Sequence, residues 1–290
     1  MKTPAIERIE YAIYLAFAML IRLLPRSVLL RLGAFLGRVF YRIDRRHREL
    51  CRRNLHETLG PDSEKLAARV FEHFGRTALD SIKLWSMSPD RVRQLVDVVG
   101  FENMKSALDR GGVVLFTAHL GNWELGAWMT AIRFRPMVVI TRALDNRLLE
   151  RELRAKRERC GNEIVEKRES ARPALKALRS GGIVAILIDQ RVGPEEGLAG
   201  TFLGRPVYTT PAAARLALQT GAELVPAFCA PVGSGGRYRA VYLPPIPLTR
   251  ESSKRPVEEI VQECNDVLSG IIRERPEHWL WMHDRWKPAN

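Results

Sequence analysis

Short β-forming runs alternate with helical patterns over residues 113–273. The runs with strand character are 113–116, 138–141, 183–188, 224–228 and 238–243. The helical patterns that separate or follow them are 147–159, 172–179, 212–219 and 257–273. Such alternation is typical of a sheet that is covered by helices. We therefore predict an α/β fold in which a mixed sheet is flanked by helices on both faces.

The composition is that of an ordinary globular protein. The chain has 290 residues, of which 46% are hydrophobic and 27% are charged, so it can form a sizeable core without disulfides or metals. Small disulfide-dependent scaffolds and disordered chains are thereby excluded. Lysine and arginine number 46 against 33 acidic residues, which gives a net charge of +13. This excess indicates a polyanionic partner, either nucleic acid, an anionic membrane face or an acidic carrier.

Cysteine and histidine spacing gives no indication of a metal centre. The four cysteines are far apart and form no CxxC pair, and the six histidines include no HExxH sequence. We therefore predict no metal, no cofactor and a reducing, cytosolic environment.

The N-terminus combines an apolar run with a basic segment. The run YAIYLAFAMLI at 11–21 is shorter than the roughly 20 residues of a bilayer span, and Arg22 follows it instead of a signal-peptide cleavage site. Residues 22–53 hold ten arginines and two acids, interleaved with apolar residues at helical spacing. This pattern predicts a basic amphipathic helix that lies on an anionic membrane, with its cationic side in the cytoplasm. The alternative is a helix that packs against the core.

We accordingly divide the chain into an N-terminal membrane anchor, residues 1–45, and an α/β domain, residues 46–290. Within the second part, residues 62–98 have a helical pattern with an expected N-cap at Asp62 or Ser63.

The segment GGVVLFTAHLGNWELG at 111–126 contains the best candidates for catalysis. On one continuous helix, His119 and Glu124 would lie about 140° apart, so they can meet only if His119 lies in a strand-to-helix turn, which Gly121 permits. A carboxylate that binds one imidazole nitrogen makes the other a better general base. Because no G-x-S-x-G sequence supplies a nucleophile, we expect the attacking hydroxyl to belong to the substrate.

This segment resembles the HX4(D/E) block of the lysophospholipid acyltransferase superfamily, and its form HLGNWE is most similar to the lipid A biosynthesis acyltransferases, the lauroyl and myristoyl transferases. Three more segments agree in order and spacing, namely LIDQRVG at 187–193, TFLGRPVYTTP at 201–211 and PEHWLWMHDRWK at 276–287. The resemblance implies acyl transfer from an acyl carrier protein thioester to a hydroxyl of a lipid A precursor, on the cytoplasmic face of the inner membrane. It also implies that His119 is the base and Glu124 its orienting partner.

The resemblance extends to substrate-binding residues. Those that it implies, or that its segments contain, are Asn122, Arg157, Arg159, Arg168, Asp189, Gln190, Arg191, Gly204 and Thr210. Among the arginines we prefer Arg157, although a solvated helix face would explain all three. Asp189 is expected to position basic groups or the acceptor, or else to cap a turn, and Thr210 to cap a helix that begins at Pro211.

The terminal segment holds tryptophans beside cations. Its members are Trp279, Trp281 and Trp286 with His283, Arg285 and Lys287. They are expected to lie either at a membrane interface or in a closing contact on the sheet.

The sequence leaves several alternatives open. The donor could be acyl-CoA, and the acceptor could be another glycolipid or lysophospholipid, as in the phosphatidylinositol mannoside acyltransferases. A protein of a different class would only bind an anionic membrane or nucleic acid. Nucleic-acid binding lacks support, because no RNP, KH, zinc-finger or helix-turn-helix sequence is present.

Overall fold

The computed structural model describes residues 3–251 and 253–286. Its strands are β1 (Val96–Val99), β2 (Val113–Thr117), β3 (Met137–Thr141), β4 (Glu163–Glu166), β5 (Ile183–Leu187), β6 (Leu198–Phe202), β7 (Arg205–Thr209), β8 (Glu223–Val232), β9 (Arg237–Tyr242), β10 (Thr249–Arg250) and β11 (Ser253–Lys254).

Its helices are α1 (Pro4–Leu23), α2 (Arg26–Ile43), α3 (Arg45–Leu59), α4 (Ala67–Leu84), α5 (Pro89–Gln94), α6 (Phe101–Arg110), α7 (Trp123–Arg133), α8 (Arg147–Glu158), α9 (Ala171–Arg179), α10 (Ala212–Thr220) and α11 (Val257–Glu274). Short 3-10 turns lie at Pro61–Leu66, Lys167–Glu169 and Pro276–His278.

The described residues form a seven-stranded sheet with the order β1-β9-β8-β2-β5-β3-β4. Strands β8, β2, β5, β3 and β4 run parallel, whereas β9 is antiparallel to β8 and carries β1 parallel to itself. The sheet is therefore mixed, as predicted. All five predicted strands are present.

Helices cover both faces of this sheet, which confirms the predicted layering. On one face, inward residues of the central strands pack against α9, α10 and α11, for example Phe116 against the cluster that includes Ala174 and Ile260. On the other face, alternate residues such as Leu115 pack against α6 and α7, and Trp128 of α7 is fully buried in this second cluster. Strands buried on both faces are typical of parallel sheets, and this explains their continuous apolar runs.

The two edge strands of the sheet differ from the prediction. Residues 96–98, expected to be helical, belong to β1, and β4 had no predicted counterpart. Both strands have four residues and expose charged side chains, Asp97 in β1 and Glu163 in β4. Strands this short carry too little periodicity to be distinguished from loops. The expected N-cap at Asp62 or Ser63 is also wrong, because Pro61–Leu66 is a 3-10 turn and α4 begins at Ala67.

The predicted basic helix over 22–53 is divided between three helices. The chain breaks at Pro25, which precedes α2, and again at Asp44, whose side chain accepts a hydrogen bond from His47 N at 3.1 Å and caps α3. Helix α2 packs closely on α4 through glycines, since a Cβ at Gly33 would lie 2.6 Å from Gly75 O. One face of α2 is thus buried against the protein, as the core-packing alternative expected.

The opposite surfaces of α1 and α2 expose large apolar side chains. Examples are Ile13 (64%), Met19 (66%) and Leu23 (78%) in α1, with Phe35 (59%) and Ile43 (68%) in α2. Among the described residues, no helix combines the length and the apolarity needed to cross a membrane.

Candidate active site

The chain makes a tight turn between β2 and α7, and His119 lies in this turn. Gly121 has φ +65°, and a Cβ at this position would collide with the carbonyl oxygen of Cys229. Only glycine fits there without strain. Asn122 then caps α7, because its Oδ1 accepts a hydrogen bond from Leu125 N at 3.0 Å, and the Asn122 side chain is fully buried. The predicted turn is confirmed.

Asp189 holds the imidazole of His119. His119 Nδ1 lies 2.9 Å from Asp189 Oδ1, and the backbone N of His119 donates to Oδ2 at 2.8 Å. Trp279 Nε1 donates to the same Oδ2 at 2.8 Å. An ionised carboxylate can only accept hydrogen bonds, so Nδ1 of the neutral imidazole carries the proton and Nε2 keeps its lone pair. This is the tautomer that a general base requires.

The strand order brings these two residues together. Strands β2 and β5 are parallel neighbours in which Thr117 pairs with Leu187, and each is the last residue of its strand. His119 and Asp189 both follow two residues later. Because parallel strands end at the same edge of a sheet, the two side chains lie side by side at its carboxyl edge, where α/β proteins commonly place their ligands.

The two charges shift each other's pKa. Burial lowers the pKa of His119, but the charge of Asp189 and its hydrogen bond outweigh burial, so the pKa of His119 ends above its ordinary value. Burial raises the pKa of Asp189, but the charge of His119 and the hydrogen bonds from His119 and Trp279 bring it below its usual range. Asp189 thus stays ionised and stabilises an imidazolium ion at position 119.

Glu124 does not contact His119, so the predicted hydrogen bond between them is wrong. Glu124 instead accepts three hydrogen bonds from Arg157 of α8, from Nε to Oε1 at 3.2 Å and to Oε2 at 3.0 Å, and from Nη2 to Oε1 at 2.5 Å. The carboxylate is drawn to this guanidinium, and Asp189 already occupies Nδ1 of the imidazole. Glu124 and Arg157 still act on His119 through their charges, since the first raises its pKa and the second lowers it.

The other side of the imidazole faces Gln190 and a large cavity. Gln190 Nε2 lies 3.3 Å from His119 Nε2, and the Trp123 ring lies 5.1 Å from the imidazole, centroid to centroid. The cavity has a volume of about 990 Å³. Its lining includes the exposed cations Arg142 and Lys167, and its buried wall is formed by apolar residues from six strands together with α7. It could accommodate an elongated apolar ligand.

A family model described as bacterial lipid A biosynthesis acyltransferase matches residues 2–288. The chain belongs to this family. The lauroyltransferase of lipid A biosynthesis from Escherichia coli strain K12 is 27% identical over 274 residues, which cover 91% of this chain and 87% of that protein. The palmitoleoyltransferase of the same strain is also 27% identical, with 91% and 86% covered. The phosphatidylinositol mannoside acyltransferase of Mycolicibacterium smegmatis is 28% identical, with 82% and 79% covered.

Membership in the lipid A acyltransferase family confirms the resemblance expected from the sequence and makes the protein an enzyme that acylates a lipid. It argues against the alternative of a non-catalytic membrane-binding or nucleic-acid-binding protein.

The structure brings together some of the predicted substrate-binding residues of this acyltransferase and separates others. The predicted residues that line the cavity, besides His119 and Glu124, are Arg157, Gln190, Arg191 and Thr210. Asp189 is buried behind the imidazole and reaches the site through it.

Besides Asp189, four predicted residues lie outside the cavity lining. Asn122 is the buried cap of α7. Arg159 donates to Trp85 O at 2.5 Å, and Arg168 is exposed. Gly204, with φ +87°, forms the turn of the β6–β7 hairpin. The preference for Arg157 over the other two arginines therefore agrees with the geometry.

Two further expectations concern the helix start near Thr210 and the tryptophans of the terminal segment. Helix α10 begins at Ala212 and not at Pro211, while Thr210 Oγ1 accepts from Ala212 N at 3.4 Å. Trp279 and Trp281 are buried, which confirms for these two residues the expected closing contact on the sheet. The alternative location at a membrane interface is wrong for them. Lys287 lies outside the described residues. Trp279 binds Asp189 and His283 lines the cavity, and no local pattern in the sequence indicates either contact.

Proposed function

We propose that the protein transfers a fatty acyl chain from an acyl carrier protein thioester to a hydroxyl of a lipid A precursor, at the cytoplasmic face of the inner membrane. The observation that carries this proposal is the pairing of His119 with Asp189 at the entrance of a deep apolar cavity. A base whose unprotonated nitrogen faces such a cavity suits a reaction between a lipid hydroxyl and a fatty thioester.

His119 acts as the general base in this proposal. Its Nε2 takes the proton of the acceptor hydroxyl as the oxygen attacks the thioester carbonyl, and Asp189 stabilises the imidazolium that forms. The proton then passes to the departing thiolate. Gln190, which is exposed and lies against Nε2 in the resting enzyme, gives way to the hydroxyl.

Glu124 acts through Arg157. The two side chains are mostly buried, 15% and 18% exposed, and they join α7 to α8 in the cavity wall. Loss of one partner would leave the other charge buried and uncompensated. Glu124 thus keeps Arg157 in place beside the acyl donor and adds negative charge near the imidazolium.

The cavity is the proposed acyl-chain site. Its deep lining spans the sheet from β9 to β4, five strand spacings of about 4.8 Å each, or roughly 24 Å. On the side of α7, Gly126 lies opposite Cys229, so the helix approaches the sheet closely at that point. An extended fatty acyl chain can lie between α7 and the sheet with its thioester at His119.

The exposed apolar surfaces of α1 and α2 support attachment to a membrane beside the cavity entrance. Asn146 links the two regions, because its side chain caps α8 and also donates to Glu7 O of α1 at 3.1 Å. Leu144, two residues earlier, is 45% exposed and lines the cavity. Insertion of this surface among lipids would bring the entrance to the headgroup layer, where the acceptor resides.

The attachment can be tested with vesicles of anionic phospholipid. Replacing Ile13 and Met19 of the exposed α1 surface by Gln should reduce cosedimentation strongly. The matched control is Val232→Gln, which alters an exposed apolar residue at the end of β8. Equal binding of both variants would contradict the proposed surface.

The donor is proposed to be acyl carrier protein because α8 presents exposed arginines next to the cavity, among them Arg147 and Arg151. Reversing both to Glu should lower kcat/KM, and the rate should fall with ionic strength, since encounter with an acidic carrier is steered by charge. Arg179→Glu on α9, which packs on the other face of the sheet, is the control. A rate that responds to neither change would favour acyl-CoA.

The acceptor and donor are tested together. Purified enzyme in vesicles receives labelled acyl carrier protein or acyl-CoA, with a lipid A precursor or a phosphatidylinositol mannoside, and mass spectrometry identifies the products. We expect acylation of the lipid A precursor by the carrier protein thioester. Turnover only with the mannoside would contradict the proposed acceptor, and turnover only with acyl-CoA would contradict the proposed donor.

A further inference from the structure

A second histidine lines the same cavity with its tautomer fixed by the backbone. The backbone N of Arg191 donates a hydrogen bond to His283 Nε2 at 3.0 Å. A backbone amide has no acceptor capacity on nitrogen, so Nε2 must supply the lone pair. The proton of the neutral His283 ring is therefore on Nδ1, and Nε2 is already used.

Three consecutive residues hold both histidines. Asp189 binds Nδ1 of His119, the side chain of Gln190 lies against Nε2 of His119, and Arg191 binds Nε2 of His283. The backbone links the two residues again, because Leu280 N donates to His119 O at 3.1 Å. Residues 189–191 and the Leu280–His119 hydrogen bond therefore hold the two imidazole rings near each other in the cavity lining.

The position of His283 is fixed by its own backbone contacts. Its carbonyl oxygen accepts from the buried Asn54 Nδ2 at 3.1 Å and from Arg285 N at 3.0 Å. Among the described residues, Nδ1 of His283 has no hydrogen-bond acceptor. The ring therefore offers a preorganised N–H donor that the folded protein does not use itself.

Its charge state suits a donor and not a second base. Burial lowers the pKa of His283, and together with the charges of His119 and Arg285 it outweighs the opposing charges of Asp189 and Asp284. The ring stays neutral near pH 7, so it keeps its tautomer. A neutral imidazole that is held this way can donate a hydrogen bond to an oxygen but has no free lone pair with which to take a proton.

We propose that His283 is a second catalytic residue whose Nδ1–H donates a hydrogen bond to the carbonyl oxygen of the acyl donor. This inference rests on the proposed acyl transfer. The acceptor hydroxyl oxygen bonds to the thioester carbon while Nε2 of His119 takes its proton, and the carbonyl electron pair moves to the oxygen. His283 stabilises that oxyanion until the C–S bond breaks and the thiolate receives the proton from His119.

Two amide substitutions separate this role from a structural one. In His283→Asn the side-chain NH2 can occupy the place of Nδ1, whereas in His283→Gln the longer side chain can still accept from Arg191 N but leaves no donor at Nδ1. We expect kcat to fall about 10²-fold or more in the Gln variant, the usual effect of losing one oxyanion donor, and distinctly less in the Asn variant. KM should change little in either, and His47→Gln at an exposed site is the control.

Equal losses in the two variants, or a smaller loss for Gln than for Asn, would overturn the inference, as would near-normal kcat in both. If either variant fails to fold, 15N-histidine NMR of the wild-type enzyme between pH 6 and 8 decides, because a ring protonated on Nε2 contradicts the proposed donor. Absence of any acyl transfer by the wild-type enzyme would instead contradict the proposed function. The NMR result would still report the tautomer of His283 independently of that outcome.

Discussion

Asp189→Asn should abolish most activity by changing the tautomer of His119. In the native site, Asp189 Oδ2 accepts from two donors that cannot change, His119 N and Trp279 Nε1, while Oδ1 faces His119 Nδ1. The single oxygen of an asparagine must therefore remain at the position of Oδ2. Its NH2 group then faces Nδ1, so the imidazole can accept this hydrogen bond only by moving its proton to Nε2. The base loses its lone pair.

The magnitude follows from what is lost. A substitution of this kind, which leaves the geometry intact but fixes the wrong tautomer, lowers kcat by about 10⁴-fold in a serine protease triad. Here the charge that stabilises the imidazolium is lost as well, so about 10⁴-fold, or roughly 5 kcal/mol of transition-state free energy, is expected. Folding should be nearly unaffected, since every buried donor keeps a partner, and the free energy of unfolding should change by about 1–2 kcal/mol at most.

The assay is single-turnover transfer from labelled acyl carrier protein to the lipid A precursor, with thermal unfolding measured on the same preparation. Asp97→Asn, which alters an exposed carboxylate on β1, provides the control and should behave like the wild type. If Asp189→Asn is folded and retains more than about a tenth of the wild-type rate, His119 does not depend on Asp189, and the assignment of the base is refuted.

Three further changes test the surroundings of the site. The acid limb of kcat/KM should have its midpoint above pH 6.5, because His119 must be neutral to act as a base and its pKa is raised. Glu124→Gln should move this limb to lower pH and Arg157→Gln should move it to higher pH. Shifts of both variants in the same direction would contradict the charge effects. Gly126→Val should favour shorter acyl chains when donors compete, as judged by product mass, since even a Cβ there would lie 3.2 Å from the Cβ of Cys229. Gly33→Ala should lower the free energy of unfolding by about 1–3 kcal/mol through overpacking against α4, whereas Gly270→Ala, which meets nothing within 4 Å in α11, should raise it by about 0.5–1 kcal/mol.

The sequence was informative where a segment's local pattern decides its structure. Central strands such as β2 are buried on both faces and therefore appear as continuous β-branched and apolar runs, and α8 begins at Arg147 as its pattern predicts. Gly121 predicted the turn between β2 and α7, where the backbone has a positive φ that glycine adopts without strain. The sequence was less informative for features that depend on a few residues each, because the stronger patterns of neighbouring segments obscured them. These features are the edge strands, the β6–β7 hairpin and the helix breaks at Pro25 and Asp44.

Contacts between distant segments could not be derived in this way. Glu124 was the natural candidate partner for His119 because it is close in sequence, yet its charge is satisfied by Arg157, 33 residues further along. The terminal segment gave no indication of which face of Trp279 or His283 meets the site. Their roles depend on the loop after β5, which reaches them only in the folded protein.

The partner of His119 is decided by strand order, which no local pattern encodes. Strand β3 follows β2 in the sequence, and if β3 were its neighbour in the corresponding register, the residue two positions past its end would be Ala143, which has no carboxylate. The chain instead places β5 between them, so that Asp189 takes this position. A slip of one residue in the β2–β5 register would bring Ile188 or Gln190 opposite His119 in place of Asp189. The pairing of His119 with Asp189 therefore depends on the same long-range packing that orders the sheet. Substitutions that loosen the contact between β2 and β5 should reduce activity before they unfold the protein.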